Sequence, residues 1–288
     1  MIHVEKYHGT GNDFIVVGPE RSVPDRRAFA RRYCDRTDGI EPPTGETGKR
    51  GADGVLFLAL EEQYSPPRVI MTLVQPDGSV APMCGNGVRC AAHWAGSRTG
   101  ATELMIDTLA GTRHARIEDD TVHVEMGVPS FDPDIVPLEG TSPLIDSQID
   151  DLSVTAVNTG VPHAVAMVEA VDAIDLEAVG PIVRNASVFP EGANLTLGSL
   201  RRSEPPAFDQ RTYERGVEGE TASCGTGAVA VVAVARKLGL IDGSNPAAVS
   251  LPGGTVTIDW RGDGAIMRGP AKRSYSTELP VAEPGVIG

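Results

Sequence analysis

Two stretches of the chain alternate apolar and polar residues with a period of two and break in the middle at turn residues. RHARIEDDTVHVEM (113–126) does so on both sides of Asp119-Asp120, and TVTIDWRGDGAIM (255–267) does so around Asp263-Gly264. Alternation of this kind lays one face of a strand on a core, so each stretch predicts a β-hairpin. A different pattern occupies 227–239, GAVAVVAVARKLG, where every side of a helical wheel is apolar up to Arg236. A helix without a polar face belongs inside something, which predicts a helix over 226–238 enclosed by a curved sheet. A buried strand is the rival reading for 228–235, which is rich in Val and Ala. Lys237 followed by Leu238-Gly239 supports the helix, as a cation in the last turn with a glycine just beyond it. The remaining helices are predicted over 25–36, 86–98 and 173–184.

The pattern also repeats at long range. Thr10-Gly11 opens NDFIVV, and Thr159-Gly160 opens VPHAVAMV 149 positions later. Cys84-Gly-Asn-Gly returns as Cys224-Gly-Thr-Gly after 140 positions, and LAGT (109–112) returns as PGGT (252–255) after 143. Landmarks in one order at nearly constant spacing predict two homologous halves, residues 1–128 completed by 274–288 and residues 129–273. The expected fold class is α+β: two pseudo-symmetric domains, each a curled, mainly antiparallel sheet around a central helix. Residues 40–50, rich in Pro, Gly and Thr, read as a surface loop. Residues 139–151 read as a connection near the domain boundary.

Composition narrows the class of partner. The 288 residues suit two domains, and 41% hydrophobic with 22% charged residues describes a globular chain. The longest apolar run, Ala228 to Ala235, is far shorter than the roughly 18 residues a membrane span needs. MIHVEKYHG contains no apolar signal segment, so the expected location is the cytoplasm. A formal net charge of −14 argues against nucleic acid and anionic membranes, both of which demand a basic footprint.

Cys34, Cys84, Cys90 and Cys224 are too few for a disulfide scaffold, and no cysteine or histidine spacing matches a metal site. Cys84 and Cys224 stand apart because each directly precedes Gly-x-Gly at a predicted helix start. There the helix dipole is expected to lower the thiol pKa, and the backbone N–H groups can hold a carboxylate. Two such thiols, one ionised and one not, supply the base and the acid that inversion of a carbon stereocentre requires, with no cofactor. The plainer reading is that a cysteine beside small residues fills the core. It fits Cys34, and it fits Cys90, whose counterpart in the second half is Ala230. GTGAVA (225–230) also matches the dinucleotide fingerprint G-x-G-x-x-A, but polar VEGETASC precedes it where a buried strand is required. A pyridoxal-phosphate racemase needs a Schiff-base lysine, and none of Lys6, Lys49, Lys237 and Lys272 sits in a site motif. A protein that binds an anion or nucleotide on its Gly-x-Gly turns, without turnover, stays open as an alternative.

HGTGNDF (8–14), MCGNGVRC (83–90), Pro162-His163, FPEGANL (189–195), YERGVEGE (213–220) and SCGTGA (223–228) together resemble the diaminopimelate epimerase family of two-cysteine enzymes, over residues 3–273. The resemblance implies an active site in the cleft between the domains, no cofactor, and the small molecule diaminopimelate as substrate on the route to lysine. It implies that Cys84 and Cys224 are the acid/base pair. Gly85 and Asn86, with Gly225 and Thr226, would present helix-start donors to the reacting carboxylate. Asn12, Asn194, Glu214 and Arg215 match residues that grip the rest of the substrate, Gln75 occupies the position of a further one, and Arg215 suits the distal carboxylate. His163 either lines the site or is a satisfied structural histidine. A second copy of the chain is a candidate partner. CGTG is shared with the proline racemases, which keeps a related two-thiol racemase as the alternative enzyme. Three departures stand out: Val161 replaces a common Asn, Gln75 followed by Pro76 replaces another, and EPPTGETGKR (41–50) interrupts a glycine-rich segment before Gly51-Ala52-Asp53-Gly54.

Overall fold

Thr10 and Gly11 have φ of 51° and 86°, so the chain opens with a two-residue turn whose twist suits antiparallel strands. It joins β1 (Ile2–Gly9) to β2 (Asn12–Val17), with Gly9 opposite Asn12. The computed structural model describes residues 1–20 and 22–280, which divide into two compact units, residues 1–124 with 269 onward, and residues 125–268. Of the expected C-terminal completion, residues 281–288 lie outside the described residues. Among the described residues no helix is long and apolar enough to cross a membrane.

In the first unit, helix α1 (Arg26–Tyr33) is capped by the Asp25 carboxylate, which accepts from the Ala28 N–H. Strand β3 (Gly54–Glu61) runs parallel to β2, and β4 (Arg68–Val74) runs antiparallel to β3. Two further strands pair with β4: β5 (Val80–Ala81) antiparallel and, beyond helix α2 (Gly85–Thr99), β6 (Glu103–Thr108) parallel. The hairpin of β7 (Gly111–Glu118) and β8 (Thr121–Gly127) follows. Glu118 pairs with Thr121 and leaves Asp119-Asp120 in the turn, as the alternation predicts.

The second unit holds β9 (Ser147–Ile149), β10 (Leu152–Asn158), β11 (Pro162–Met167), α3 (Leu176–Arg184), β12 (Asn194–Arg201), β13 (Ala207–Glu214), β14 (Gly219–Glu220), α4 (Gly225–Lys237), β15 (Ala247–Leu251), β16 (Gly254–Arg261) and β17 (Gly264–Pro270). Its pairings from β10 to β17 repeat those from β1 to β8 in order and direction: antiparallel, parallel, antiparallel, then a strand carrying one antiparallel and one parallel neighbour around a helix, then two antiparallel pairs. The first strand of each set has one more antiparallel partner, β9 on β10 and β18 (Lys272–Leu279) on β1. The second hairpin is shifted by one residue from expectation. Arg261 pairs with Gly264, so Gly262-Asp263 forms the turn, because Gly262 takes the positive φ of 60°. Residues 41–50 form no helix or strand and none of them is buried.

Each unit is built around one helix. Residues 225–235 of α4 are all buried, and the helix touches β10, β11, β12, β13 and β16. Helix α2 likewise touches β1, β2, β3, β4, β6, β7 and β18, with Trp94 and Arg89 among the largest fully buried side chains. Strands met on all sides of one helix mean a sheet curled around it, which is the architecture the apolar wheel of α4 requires. Leu104 of β6 is fully buried in that first core. Leu104→Ala is expected to cost about 2–5 kcal/mol, measured as a drop in the urea midpoint.

Candidate active site

Each cysteine that precedes Gly-x-Gly is the N-cap of a central helix. Cys84 is extended (φ −146°, ψ 116°), and its Sγ accepts from the Gly87 N–H at 3.5 Å. Cys224 is extended in the same way (φ −117°, ψ 100°). The first intrahelical bonds run from Val88 N to Cys84 O at 2.9 Å and from Ala228 N to Cys224 O at 3.0 Å. The N–H groups of Gly85 and Asn86, and of Gly225 and Thr226, therefore lie in the first turn, where a helix offers its donors to an outside acceptor. The chain approaching each cysteine is pinned alike. Ala110 N donates to Pro82 O at 3.1 Å, and Gly253 N donates to Ala222 O at 2.7 Å, each two residues before the thiol. These donors belong to the LAGT and PGGT landmarks, so that part of the repeat fixes where each helix begins.

Around Cys84 the structure brings Asn12 and Asn86 together. Asn86 Nδ2 donates to Asn12 Oδ1, and Asn12 Nδ2 donates to Asp53 Oδ2 at 3.1 Å. The fully buried Arg89 donates to Asn86 Oδ1 at 2.6 Å and to Thr10 Oγ1 at 2.7 Å. Beyond Asp53, Arg36 Nη2 bridges Asp53 at 2.5 Å and Asp13 at 2.6 Å, and Lys6 Nζ reaches Asp13 at 2.8 Å. Burial would raise the Asp13 carboxyl, but Arg36 and Lys6 outweigh it and hold the pKa below the usual carboxylate range. Gln75 stays outside this network, because its Oε1 accepts from Ser79 Oγ at 2.8 Å within its own turn.

Around Cys224 the structure gathers His163, Asn194, Glu214, Arg215 and Thr226. His163 and Asn194 are paired neighbours on β11 and β12. Asn194 Oδ1 accepts from the Arg215 backbone N–H at 2.8 Å, while Arg215 Nη1 donates to the carbonyls of Glu191 at 2.9 Å and Gly192 at 3.2 Å. Glu214 accepts from the Thr221 hydroxyl. Both nitrogens of the fully buried His163 are occupied, Nδ1 by Thr196 Oγ1 at 2.9 Å and Nε2 by Thr226 Oγ1 at 3.0 Å. Burial, with the charge of Arg215, lowers its pKa to about 3 and keeps the ring neutral. The reading of His163 as a satisfied histidine therefore holds, and one of its partners is Thr226 of the helix start.

The expectation that the dipole lowers both thiols does not hold at Cys224. Burial first, and the negative charge of Glu214 second, push its pKa well above the ordinary value, outweighing the Thr226 hydroxyl 3.4 Å from Sγ. Cys34 and Cys90 are buried with thiols pushed up to about 12, chiefly by burial, as expected of core cysteines.

The sequence profile of the family described as diaminopimelate epimerase matches residues 4–131 and 155–274. The diaminopimelate epimerase of Methanocella arvoryzae is 43% identical over 97% of both chains, and that of Methanothrix thermoacetophila is 42% identical over 92% of this chain and 91% of its own. This chain belongs to the diaminopimelate epimerase family. Its fold is shared more widely: a hydroxyproline epimerase from Agrobacterium vitis, solved with trans-4-hydroxy-L-proline, superposes with a TM-score of 0.64 at 16% identity, over 98% of this chain and 92% of that one.

In this diaminopimelate epimerase family member, several residues of the site carry no motif signal of their own. Gln210 Nε2 donates to Cys224 O at 3.2 Å, and the Thr159 hydroxyl donates to Thr226 O at 2.9 Å. The usable signal was the phase of AFDQRTYE (207–214), which puts polar Gln210 and Thr212 on the buried side of β13 with Phe208. The second glycine of each Gly-x-Gly also has a local reason. A Cβ at Gly227 would lie 2.6 Å from Gln210 Nε2 and 3.0 Å from Thr212 Oγ1, whereas one at Gly87 would meet a Leu56 methyl at 3.2 Å.

Gly227→Ala is therefore expected to destabilise by about 1–3 kcal/mol, and Gly87→Ala to stay near neutral because helix propensity offsets a yielding contact; melting temperatures compare them. The depressed pKa of His163 gives a second expectation. The unfolded chain binds a proton there near pH 6.5 and the native state only near 3, so its contribution is present above 6.5 and is lost as pH falls toward 3. Urea titrations over that window should show a slope of up to about 1.4 kcal/mol per pH unit from this group, and His163→Gln should flatten it.

Proposed function

We propose that this chain interconverts LL- and meso-diaminopimelate in the cytoplasm, without a cofactor, on the route to lysine. The observation that carries the reading is the family match over nearly the whole chain, with its two cysteines at equivalent helix N-caps. Each half-repeat, 1–128 and 129–273, supplies one thiol. One sulfur removes the α proton as a thiolate and the other delivers a proton to the opposite face, so the proton count is unchanged and the pair ends with its protonation states exchanged. The carbanion formed next to the carboxylate is stabilised by the first-turn N–H groups of Gly85, Asn86, Gly225 and Thr226.

Arg215 takes the distal carboxylate through its guanidinium, and the amides of Asn12 and Asn194 with Glu214 serve the ammonium end. Asn12 and Asn86 work as a coupled pair, since one amide orients the other. Gln75 reaches the substrate only by leaving Ser79. A homodimer is the proposed assembly.

Incubating the reduced protein with LL-diaminopimelate in D2O and following α-proton exchange by NMR tests the reading. Exchange with appearance of the meso isomer is expected from the parent, and loss of inversion from both Cys84→Ala and Cys224→Ala. Inversion that survives either substitution overturns the two-thiol mechanism, and no exchange by the parent overturns the substrate.

A further inference from the structure

Five buried groups, linked by six polar contacts, connect the backbone of Cys224 to its own sulfur. Gln210 Nε2 lies 3.2 Å from Cys224 O, and a carbonyl can only accept, so the amide presents its NH2 there. The same nitrogen lies 2.9 Å from Thr212 Oγ1 and can only donate. Thr212 Oγ1 is 3.3 Å from Thr196 Oγ1, which is 2.9 Å from His163 Nδ1. His163 Nε2 is 3.0 Å from Thr226 Oγ1, which is 3.4 Å from Cys224 Sγ. Gln210 and Thr212 are 2% exposed, Thr196 and His163 fully buried, and Thr226 8% exposed, so each of these groups must be satisfied from within the protein.

Donor bookkeeping gives the chain one direction. Thr212 accepts from Gln210, so its single hydrogen goes to Thr196. The opposite arrangement would leave that buried hydrogen with no acceptor among the described residues, at a cost of about 1–3 kcal/mol. Thr196 then turns its hydrogen to His163 Nδ1. The ring is neutral, so accepting at Nδ1 fixes the proton on Nε2, which donates to Thr226. The remaining hydrogen, on the Thr226 hydroxyl, faces sulfur. The amide orientation that starts the chain is kept although it leaves the buried Gln210 Oε1 with no hydrogen-bond partner among the described residues.

We propose that Gln210, Thr212, Thr196 and His163 are positioning residues forming a one-way hydrogen-bond relay that turns the Thr226 hydroxyl to donate to the Cys224 sulfur and so favours its thiolate. The catalytic consequence rests on the reading of Cys224 as an acid/base group, while the relay itself does not. A fixed donor on sulfur opposes the burial and the Glu214 charge that disfavour ionisation, without placing a cation there. It also explains why Thr226 stands where the first half has Asn86, since a hydroxyl can accept from the ring and donate to sulfur along one line.

The test reads the tautomer of His163 directly. In 15N-labelled protein, with the His163 signals assigned by their loss in His163→Gln, the parent is expected to show an unprotonated Nδ1 and a protonated Nε2. The second readout is the rate of iodoacetamide alkylation at Cys224, mapped by mass spectrometry over a pH series. Thr196→Val and Thr226→Val are expected to slow it about tenfold at fixed pH below the thiol midpoint, as a hydrogen bond to a charged group would. Thr196→Ser and Thr226→Ser are expected to keep the parent profile, which a loss of packing alone would not restore. A proton on Nδ1 in the parent, or parental alkylation rates in both Val variants, overturns the relay. Failure of the parent to epimerise diaminopimelate would count against the proposed function and leave both readouts unaffected.

Discussion

Burying one helix on all sides in each unit is the constraint from which the two cysteine sites follow. A helix with residues 225–235 buried has no side-chain freedom to spare for tilting or sliding, so its axis is fixed by packing. Its N-terminal donors cannot be hidden in the apolar interior without partners, so the helix start has to be where an acceptor can arrive. The sequence meets this with a cysteine cap and glycines, and the structure adds a backbone hydrogen bond two residues before each cap. Packing sets the direction of the donors and that hydrogen bond sets their position along the chain.

The two units share this frame but support it with opposite chemistry. The first surrounds its helix start with charge: Arg89 donates to Asn86, and Arg36 and Lys6 neutralise Asp13 and Asp53. A cation at Arg89 interacts favourably with an ionised Cys84, whereas Glu214 acts on Cys224 with a negative charge. Apart from Glu214 and Arg215, the groups the second unit gathers there are neutral: a glutamine, several threonines and an uncharged histidine. The two helix starts thus share a backbone geometry but differ in their charged neighbours, a cation beside Cys84 and a carboxylate beside Cys224.

Local patterning made the hairpins and the four helices legible from residues alone, because each depends on neighbours within one element, and the repeat was legible from the constant spacing of its landmarks. The register around Gly262-Asp263-Gly264 was missed by one residue, since two glycines offered the turn and only the closing strand pair chose between them. The pKa of Cys224 was misjudged for a different reason. A helix dipole is a local property and can be read from CGTG, but the burial and the approach of Glu214 that push this thiol up come from the rest of the fold. His163 and Thr226 are 63 positions apart, and Arg89 and Thr10 are 79 apart, so their hydrogen bonds have no sequence signature beyond a polar residue at a buried phase. LAGT and PGGT were visible as spacing, and only the backbone showed what they hold.

The insertion at 41–50 shows why an interrupted motif need not mean an interrupted site. Gly51 N donates to Ile40 O at 2.8 Å and Ala52 N donates to Cys34 O at 3.0 Å, so the residues on either side of the insertion are held together at its base. The Glu41–Arg50 ion pair continues that stem outward. Once the ends are fixed, extra residues cost only the slowly growing entropy of a longer loop, and none of them is buried. Gly51 cannot vary so freely, because its φ is +66° and a Cβ there would lie 2.3 Å from Asp35 O. The contact that reaches the site is Asp53 to Asn12, and it sits on the closed side of the stem. Length in this segment can therefore change without loosening Asp53's hold on Asn12, which bonds Asn86 at Cys84's helix start.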